Sequence, residues 1–425
     1  VMAAELNGIY EAGRPEDSGD SANESKYRVL LLSAHPVQYS SPVFRLMAKH
    51  PSLDVTVAYC SLQGAERALD PDFGIEVAWD IPLLEDYPWV QLRNYPLSKV
   101  EQSFTGLINP GVWKLIRKGR FDAVAIFTGY RPATFWIAVL AAKLSHSILM
   151  FGTDAHGLMA RDGSSWKQRF KKLFWPRLFG MADVAIAPSS GTVDLMRSLS
   201  VPDERIALLP YVVHNERWLG EAKKVDRSAI RRRWDIPSDA PVALFCAKLQ
   251  PWKRPQDLLR AFAKANVTAS HLVYAGEGPM QRELESEAKA LGIWERTRFL
   301  GFINQSALPG IYAACDLLVL PSEYEPFGVV VNEAMLCGCG VIVSDRVGAK
   351  FDLVREGETG FVYACGNVDA LAALLSKTLG SPELLRELGE SARKRMETWG
   401  PKDYVASFLN AVGQAKRSRV LRNAQ

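Results

Sequence analysis

Short apolar runs alternate with helical patterns along most of the chain. In the first half the predicted strands are Arg28–Ser33, Val55–Tyr59, Ala123–Phe127, Ile148–Phe151 and Val184–Ala187. In the second half they are Val242–Cys246, Leu272–Tyr274, Thr297–Leu300, Leu317–Leu320 and Val341–Ser344. The segments between them carry apolar residues at helical spacing, among them Pro42–His50, Gly111–Lys118 and Phe135–Leu144. Strands that alternate with helices in this way indicate parallel sheets covered on both faces. The pattern predicts an α/β protein with two doubly wound domains.

The predicted domain bounds follow from breaks in this alternation. Residues 1–26 are rich in Glu, Asp, Ser, Gly and Ala, a composition typical of disorder. Residues 27–215 and 216–400 are the two Rossmann-like domains, which a charged stretch, Glu216–Asp239, separates. Residues 401–425 are a helix with one apolar face followed by a basic, solvated tail that begins near Lys416.

A short pattern occurs once in each half. Asp183–Ser189 and Asp316–Ser322 both consist of an Asp, four apolar residues and Pro-Ser. One interpretation is that the two domains are built alike and face each other across a cleft, where ligands of open α/β sheets bind. The other is that this is common chemistry for a strand that leads into a helix.

Composition and charge narrow the class of protein. The 425 residues are 48% hydrophobic and 23% charged, and the net charge of +4 gives no overall signal for nucleic acid. No apolar run reaches the roughly 18 residues of a membrane span, and the acidic start of the chain does not resemble a secretory signal. The six scattered cysteines favour a reducing compartment over a disulfide framework. We therefore expect a cytoplasmic protein.

The segment from Pro321 to Glu333 carries the most informative chemistry. Glu325 and Glu333 lie on either side of Phe327-Gly328-Val329, directly after a buried strand. A helix that begins near Gly328 would offer free N–H groups and a partial positive charge to a phosphate. The two carboxylates could accept hydrogen bonds from hydroxyls. Phosphate and polyol recognition in one loop indicates a nucleotide sugar, and the alternative is a solvated helix start.

Two further loops follow strands of the second half. Lys248, Lys253 and Arg254 come after Val242–Cys246, where three cations suit a diphosphate and the charge of a leaving group. Gly276 opens a Gly-Glu-Gly-Pro turn that allows close approach to a ligand. The alternatives are a solvated basic turn and a structural turn at a helix start.

Two loops of the first half are candidates for the acceptor side. Asp154 and His156 follow the strand Ile148–Phe151, and His156 could donate to a sugar hydroxyl or a phosphate. His35, Gln38 and Tyr39 follow the first strand and could shape an acceptor pocket.

In this order, the clusters resemble the retaining glycosyltransferases of family 4, which have the GT-B fold. The resemblance extends from about Tyr27 to the C-terminal helix. It rests on the Glu-x7-Glu spacing and on further motifs at Arg298–Phe302, Gly340–Asp345, Gly348 and Glu356–Phe361. It implies two Rossmann-like domains that face an inter-domain cleft.

The resemblance also implies roles for individual residues. Glu333 would bind the ribose, and Glu325 would contact the donor sugar. The N–H groups of Phe327, Gly328 and Val329 would face the sugar and the distal phosphate. The remaining implied positions are Lys248 and Lys253 at the diphosphate, Phe302 near the base, and His156 near the reaction centre.

The chain departs from the family pattern in two places. Lys248 stands where the family often has arginine, which removes bidentate geometry. The glycine-rich loop often found after the first strand is replaced by His35–Ser41. Because that loop lies on the acceptor side, the family says little about the acceptor.

The implied reaction moves a sugar from a UDP- or GDP-type donor to a hydroxyl with retention at the anomeric carbon. The acceptor would be a glycan, a glycolipid or a natural product. The sequence offers no obvious carboxylate nucleophile, so we expect a front-face mechanism in which the leaving phosphate takes the proton. We expect no metal or other cofactor, because Asp70-Pro71-Asp72 is predicted to be a turn away from the donor loops.

Two alternative functions and one open structural assignment remain. A nucleotide-sugar 2-epimerase and a catalytically silent sugar-nucleotide binding protein would use a similar scaffold. The segment Trp166–Phe179 mixes five cations with aromatic and leucine side chains. It is either a peripheral contact with an anionic membrane or an amphipathic packing helix that is kinked or broken at Pro176.

Overall fold

The computed structural model describes residues 26–65, 68–70, 75–101, 103–159 and 163–423. The predicted disorder of residues 1–26 therefore concerns a segment that, except for Lys26, lies outside the described residues. The same is true of Pro71 and Asp72 in the predicted turn, whereas Asp70 ends a short strand.

Fifteen strands are found within the described residues. In the first half they are β1 (Tyr27–Ser33), β2 (Leu53–Tyr59), β3 (Ala68–Asp70), β4 (Ile75–Val77), β5 (Trp89–Gln91), β6 (Ala123–Ile126), β7 (Ile148–Gly152), β8 (Val184–Ala187) and β9 (Ile206–Leu208). In the second half they are β10 (Val242–Cys246), β11 (His271–Ala275), β12 (Thr297–Phe299), β13 (Leu317–Leu320), β14 (Gly340–Ser344) and β15 (Gly360–Tyr363). All predicted strands are present to within two residues at either end.

The helices lie between the strands of each half. In the first half they are α1 (Ser41–Lys49), α2 (Gly111–Gly119), α3 (Ala133–Leu144), α4 (Ser165–Gly180) and α5 (Ser190–Ser198). In the second half they are α6 (Asn215–Lys223), α7 (Arg227–Arg233), α8 (Pro255–Ala265), α9 (Gln281–Ala290), α10 (Leu308–Ala314), α11 (Val330–Leu336), α12 (Val368–Leu379), α13 (Pro382–Arg395) and α14 (Pro401–Asn423). None of the helices within these ranges is both long and apolar enough to cross a bilayer.

The sheets of the two halves share one strand order, and the first sheet has one strand more than the second. The first sheet runs β5-β2-β1-β6-β7-β8-β9, and the second runs β12-β11-β10-β13-β14-β15. All neighbours within both sheets are parallel. Each sheet therefore reverses its order once, between β1 and β6 in the first and between β10 and β13 in the second. These are the switch points at which open α/β sheets bind ligands.

The repeated Asp-apolar-Pro-Ser pattern does not mark equivalent strands. Asp316 precedes β13, which lies next to β10, the strand of its sheet that comes first in the chain. Asp183 precedes β8, which is separated from β1 by β6 and β7. The equivalent of Asp316 is Asp122, which precedes β6. Asp122 accepts the N–H of Arg28 at 2.8 Å, and Asp316 accepts the N–H of Val242 at 2.8 Å. The domains are built alike, but the repeat itself reflects common chemistry before a strand.

The C-terminal helix joins the second domain back to the first. Its apolar residues Phe408 and Val412 are fully buried. Arg419 donates to the carbonyls of His146 and Ser147 at 2.6 and 2.7 Å and pairs with Asp183 at 2.6 Å. The predicted basic tail is part of this helix, which continues to Asn423. Lys416 and Arg417 are exposed, as predicted, whereas Arg419 is partly buried. Arg419 thus forms part of the domain connection.

Hydrogen bonds between the two domains help to hold them face to face. Asn304 donates to the carbonyl of Ala78 at 2.9 Å, and the N–H of Ser306 donates to Asp80 at 2.9 Å. Elsewhere the N–H of Ser190 donates to Asp352 at 3.0 Å.

We expect Asp316→Ala to destabilise the fold strongly. The Asp316 carboxylate forms ion pairs with Arg227 and Arg231. The distance to Arg231 is 2.8 Å, and the Arg231 side chain is 1% exposed. Removal of the carboxylate would leave a buried guanidinium without its counterion, at a cost of about 3–5 kcal/mol.

Denaturant unfolding measures this cost. Asp54→Ala is the control, because the Asp54 pair with Arg28 is about half exposed on both sides and should contribute less than about 1 kcal/mol. Equal, small losses in the two variants would contradict the role assigned to Asp316.

Candidate active site

The loops after β10 and β13 meet at the switch point of the second sheet. Lys253 follows β10, Glu325 follows β13, and the Lys253 ammonium pairs with the Glu325 carboxylate. Their side chains are 18% and 15% exposed. The pair is therefore largely enclosed by the protein, but part of each side chain remains exposed.

The loop that carries Lys253 has little freedom. Pro251–Lys253 form a 3₁₀ turn, and Arg254 takes a left-handed conformation, with φ at 51°, before α8 begins at Pro255. Arg254 pairs with Asp257 at 2.6 Å. The N–H of Glu323 donates to the carbonyl of Trp252 at 2.8 Å, which ties this loop to the one that carries Glu325.

Gly328 shapes the loop between Glu325 and α11. Its φ is +95°, and a Cβ there would lie 3.1–3.3 Å from the side chains of Leu320, Glu325 and Val347. Helix α11 begins at Val330, two residues after the predicted start. The N–H groups of Phe327, Gly328 and Val329 thus precede the first helical turn.

Two backbone hydrogen bonds fix the far side of this loop. The N–H of Gly348 donates to the carbonyl of Glu325 at 3.0 Å, and that of Ala349 donates to Phe327 at 2.8 Å. A Cβ at Gly348 would lie 1.9 Å from the carbonyl oxygen of Pro326. Glycine at position 348 therefore permits the close approach of two backbone segments.

Glu333 is a buried carboxylate beneath the cleft. It is 6% exposed, and its Oε2 accepts a hydrogen bond from the Tyr312 hydroxyl at 2.8 Å. Burial raises its pKa to about 7, although Tyr312 and the cation of Arg217 oppose the shift. The group therefore changes its protonation state near neutral pH.

Lys248 and Gly276 lie on adjoining loops. Lys248 is half-buried just after β10. Gly276 has a φ of +146°, and a Cβ there would lie 2.1 Å from the carbonyl oxygen of Ala247. The structure thus explains the glycine by the packing of one loop on the other. A contact of either residue with a donor stays a prediction.

Phe302 lies at the edge of the cleft, beside the first domain. Its ring centroid is 6.3 Å from that of Trp79. The neighbouring Asn304 and Ser306 make the contacts with Ala78 and Asp80 described above. The predicted position near a nucleotide base stays a prediction.

Aromatic rings connect the acceptor side to the loop of Phe327. Tyr39 meets Tyr211 edge-on at 5.2 Å, and Tyr211 lies 5.3 Å from Phe327. Burial and the charge of Asp154 raise the pKa of Tyr39 to about 12, so its hydroxyl is protonated and can donate. Sequence reasoning missed Tyr211, whose only signal is its place shortly after the three-residue strand β9.

His156 reaches the Glu325 loop from the first domain. Its Nδ1 lies 3.3 Å from the carbonyl oxygen of Pro326, and its ring is 5.5 Å from that of Phe351. Burial lowers its pKa, which favours a neutral ring at neutral pH. The structure therefore brings this predicted residue next to Glu325.

Asp154 lies in the cleft between the two domains. Its side chain is exposed, yet desolvation raises the pKa of its carboxyl, and the charge of Glu325 adds to the rise. The pKa of the Asp154 carboxyl therefore depends on the charges that face it across the cleft.

His35 faces a residue that sequence reasoning missed. His35 Nδ1 lies 3.3 Å from Glu101 Oε2. The other carboxylate oxygen, Oε1, is a buried atom without a hydrogen-bond partner among the described residues. Gln38 is half-buried on the same loop as His35. No motif distinguishes Glu101, so only the fold reveals its position.

The described ranges were expected to lack a metal site. No group of three or more His, Cys, Asp or Glu side chains there could hold a metal ion. Independence from metals stays a prediction.

Comparisons with known proteins agree with this geometry. Residues 226–395 match the family model of group 1 glycosyl transferases, and residues 43–212 match the glycosyl transferase 4-like domain. The chain is 32% identical over 326 residues to a D-inositol 3-phosphate glycosyltransferase of Streptomyces avermitilis. The aligned region covers 72% of this chain and 69% of that protein.

Two solved structures share the fold. The Anabaena protein HepE, in complex with UDP and glucose, superposes with a TM-score of 0.68 at 19% identity, covering 91% of this chain and 99% of that one. Sucrose-phosphate synthase of Thermosynechococcus elongatus superposes with a TM-score of 0.66 at 20% identity, covering 94% and 100%.

We expect Glu333→Gln to change the pH dependence of stability. Between pH 4.5 and about 7 the folded protein holds a proton on Glu333 that the unfolded chain has released. The unfolding free energy contributed by this group therefore falls as the pH rises through this window. The full effect is about 3 kcal/mol.

Unfolding of the wild type and the variant at acidic and alkaline pH tests this. Relative to the wild type, the variant should be more stable at about pH 8 than at about pH 5. Glu323→Gln is the control, because its side chain is 62% exposed. A pH-independent difference between Glu333→Gln and the wild type would show that Glu333 ionises normally.

Proposed function

Because the chain belongs to glycosyltransferase family 4 and has its GT-B fold, we propose that it transfers a sugar from a UDP- or GDP-type nucleotide sugar to a hydroxyl acceptor, with retention at the anomeric carbon. The observation that carries this proposal is the Lys253–Glu325 pair at the switch point of the second sheet. This pair places a cation that can bind a phosphate beside a carboxylate that can accept hydrogen bonds from sugar hydroxyls.

The donor occupies the second domain in this proposal. Lys248 and Lys253 neutralise the diphosphate, and the N–H groups that precede α11 face the distal phosphate and the sugar. Glu333, in its ionised form, accepts hydrogen bonds from the ribose hydroxyls. Phe302 lies near the base. HepE supports a UDP-type donor, since that protein has been crystallised with UDP.

The reaction proceeds on one face of the donor sugar. The bond between the anomeric carbon and the phosphate oxygen breaks, and the acceptor oxygen bonds to the same carbon from the same side. The acceptor proton passes to the leaving phosphate. Lys253 stabilises the charge that develops on this phosphate, in a partly desolvated site where such stabilisation is strong. Glu325 and the neutral His156 hold the sugar on opposite sides.

The acceptor enters from the first domain. His35, Gln38, Tyr39 and Asp154 line that side of the cleft in this proposal, and they offer both donors and acceptors to a hydroxyl. The D-inositol 3-phosphate glycosyltransferase of Streptomyces avermitilis is named for a polyol acceptor, which supports a hydroxyl as the nucleophile.

The two alternative functions are not favoured. Both family models describe glycosyl transferases, and no observation points to an epimerase or to a silent binding protein. A cytoplasmic location stays a prediction.

Contact of the segment Trp166–Phe179 with an anionic membrane is also part of the proposal. The segment lies within the continuous helix α4, so the predicted break at Pro176 is absent. Its C-terminal part is buried, including Trp175 and Phe179, whereas Trp166 and Phe170 are exposed. It is thus a packing helix at one end and a free surface at the other.

We expect Lys253→Ala and Glu325→Ala each to lower kcat/KM by about 10²–10³, the loss typical when one stabilising group at a developing charge is removed. The measurement is transfer from the nucleotide sugar that gives the largest thermal shift with the wild type. Lys264→Ala is the matched control, because Lys264 pairs with Asp369 on the exposed surface of α8. Full activity in both site variants would refute the site assignment.

We expect transfer to persist after treatment with EDTA, because Lys248 and Lys253 supply the positive charge that a divalent cation would otherwise bring to a diphosphate. The measurement is the initial rate before and after chelation. A rate that collapses with EDTA and returns with Mg²⁺ or Mn²⁺ would contradict this part of the proposal.

A further inference from the structure

A recess of about 510 Å³ opens where the C-terminal helix meets the first domain. Its walls come from the ends of α2 and α3, from the residues at the start of β6 and β7, and from the C-terminal half of α14. The recess therefore lies at the amino ends of the strands, whereas the loops of the candidate active site follow carboxyl ends. Its volume is within the range of small-molecule sites, roughly 300–1,000 Å³. We name it the basic recess.

The residues that line the basic recess carry an excess of positive charge. One of them, Asp122, is a carboxylate, and it accepts the N–H of Arg28 at 2.8 Å. Four are cations, two from the end of α2 and two from α14: Arg117, Arg120, Lys416 and Arg419. The helix that returns from the second domain and a helix of the first domain thus both bring cations to one recess.

Two of these cations hold the walls of the recess together. Arg117 donates to the carbonyl of Leu144, the last residue of α3, at 2.5 Å. Arg419 donates to the two carbonyls that precede β7 and pairs with Asp183. Cations commonly satisfy the free carbonyls at a helix C-terminus. This structural role accounts for Arg117 and Arg419, and it fixes the shape of the recess.

The other two cations have no such role. Arg120 is exposed, and its guanidinium makes no hydrogen bond or ion pair among the described residues. Lys416 is also exposed, and it lies 4.9 Å from the centre of the Tyr27 ring without a carboxylate partner in the described ranges. Two positive charges of the recess are therefore not compensated by the protein that surrounds them.

The basic recess also offers a hydroxyl and an apolar wall. Ser145 is one of the lining residues, and its Oγ is a buried atom that has no hydrogen-bond partner among the described residues. Such an atom calls for an explanation, because buried polar groups are nearly always paired. Phe121, Leu144 and Ile148 complete the apolar part of the lining, and Leu144 is 52% exposed. A ligand with both anionic oxygens and a carbon framework matches these walls.

We propose that the basic recess binds a small, soluble phosphorylated compound, with its phosphate groups at Arg120 and Lys416. Phosphate oxygens accept hydrogen bonds from the guanidinium fork and from the ammonium group. The Ser145 hydroxyl supplies a further donor, and the carbon framework of the ligand lies against Leu144. Because α2 and α14 share the ligand, binding strengthens the attachment of the C-terminal helix to the first domain. The site does not depend on the proposed transferase function.

Calorimetric titration of the full chain with inorganic pyrophosphate tests the charge of this site. We expect Arg120→Asn and Lys416→Gln each to weaken binding at the recess at least about fivefold, the loss for one charge pair at about 4 Å in water. Binding should also weaken as salt is added, because salt screens exposed charges. Position 120 has a left-handed backbone, with φ at 50°, which asparagine tolerates well.

Lys402→Gln is the matched control, because Lys402 lies on the same helix, is 83% exposed and pairs with Glu216 away from the recess. It should bind pyrophosphate like the wild type. Without pyrophosphate, the thermal unfolding midpoints of the recess variants should match that of the wild type, since Arg120 and Lys416 have no ion pairs among the described residues. Pyrophosphate should raise the midpoint of the wild type.

Hydrogen exchange locates the bound pyrophosphate, because Lys253 in the cleft is a second candidate for a diphosphate. Exchange should slow at residues 116–122 and 143–148 in the wild type and in Lys253→Ala, but not in Arg120→Asn. No binding by the wild type, equal binding by both recess variants, or protection confined to residues 247–253 would overturn the proposal. A failure to transfer sugar would refute the proposed function and leave this result standing, since neither measurement uses the transfer reaction.

Discussion

Parallel strands deliver their carboxyl ends to one edge of a sheet, and at the switch point the loops that follow two neighbouring strands turn away to opposite faces. This constraint decides where everything else in the molecule can lie. In the second sheet it opens a crevice after β10 and β13, which is where Lys253 and Glu325 meet. In the first sheet it places the loop of His35 and Tyr39 after β1. The C-terminal helix then holds the two edges toward each other.

Burial sets the chemistry of this crevice. Lys253 and Glu325 form an ion pair in a partly enclosed position. Glu333, one helical segment further on, has no cation in direct contact among the described residues, and burial raises its pKa to about 7. His156 is desolvated too, and its pKa falls. The same physical cause thus favours the neutral form of a carboxyl and of an imidazole within one cleft.

The apolar and polar pattern was sufficient for the architecture, because buried parallel strands are continuous apolar runs. It failed at β3, β4, β5, β9 and β15, since three- and four-residue strands at a sheet edge carry little periodic signal. It also missed the role of Arg419, whose partners lie more than 230 residues away in the chain.

The candidate site was predictable to a similar extent. Residues within a few positions of strand ends, such as Lys253 and Glu325, could be found because topology gathers strand ends. Tyr211 and Glu101 could not, because their places depend on how the two domains face each other and on the course of a long loop. Gly276 was noted for the right backbone reason, although its close neighbour is the carbonyl of Ala247.

Hydrogen exchange with and without UDP and GDP tests the central claim most directly, because it reports which backbone segments a bound nucleotide protects. The account predicts protection of residues 247–253 and 321–336 in the second domain and none of residues 35–41 in the first. Binding of a nucleotide that protects the loop of His35 and leaves the segments around Lys253 and Glu325 unchanged would contradict it.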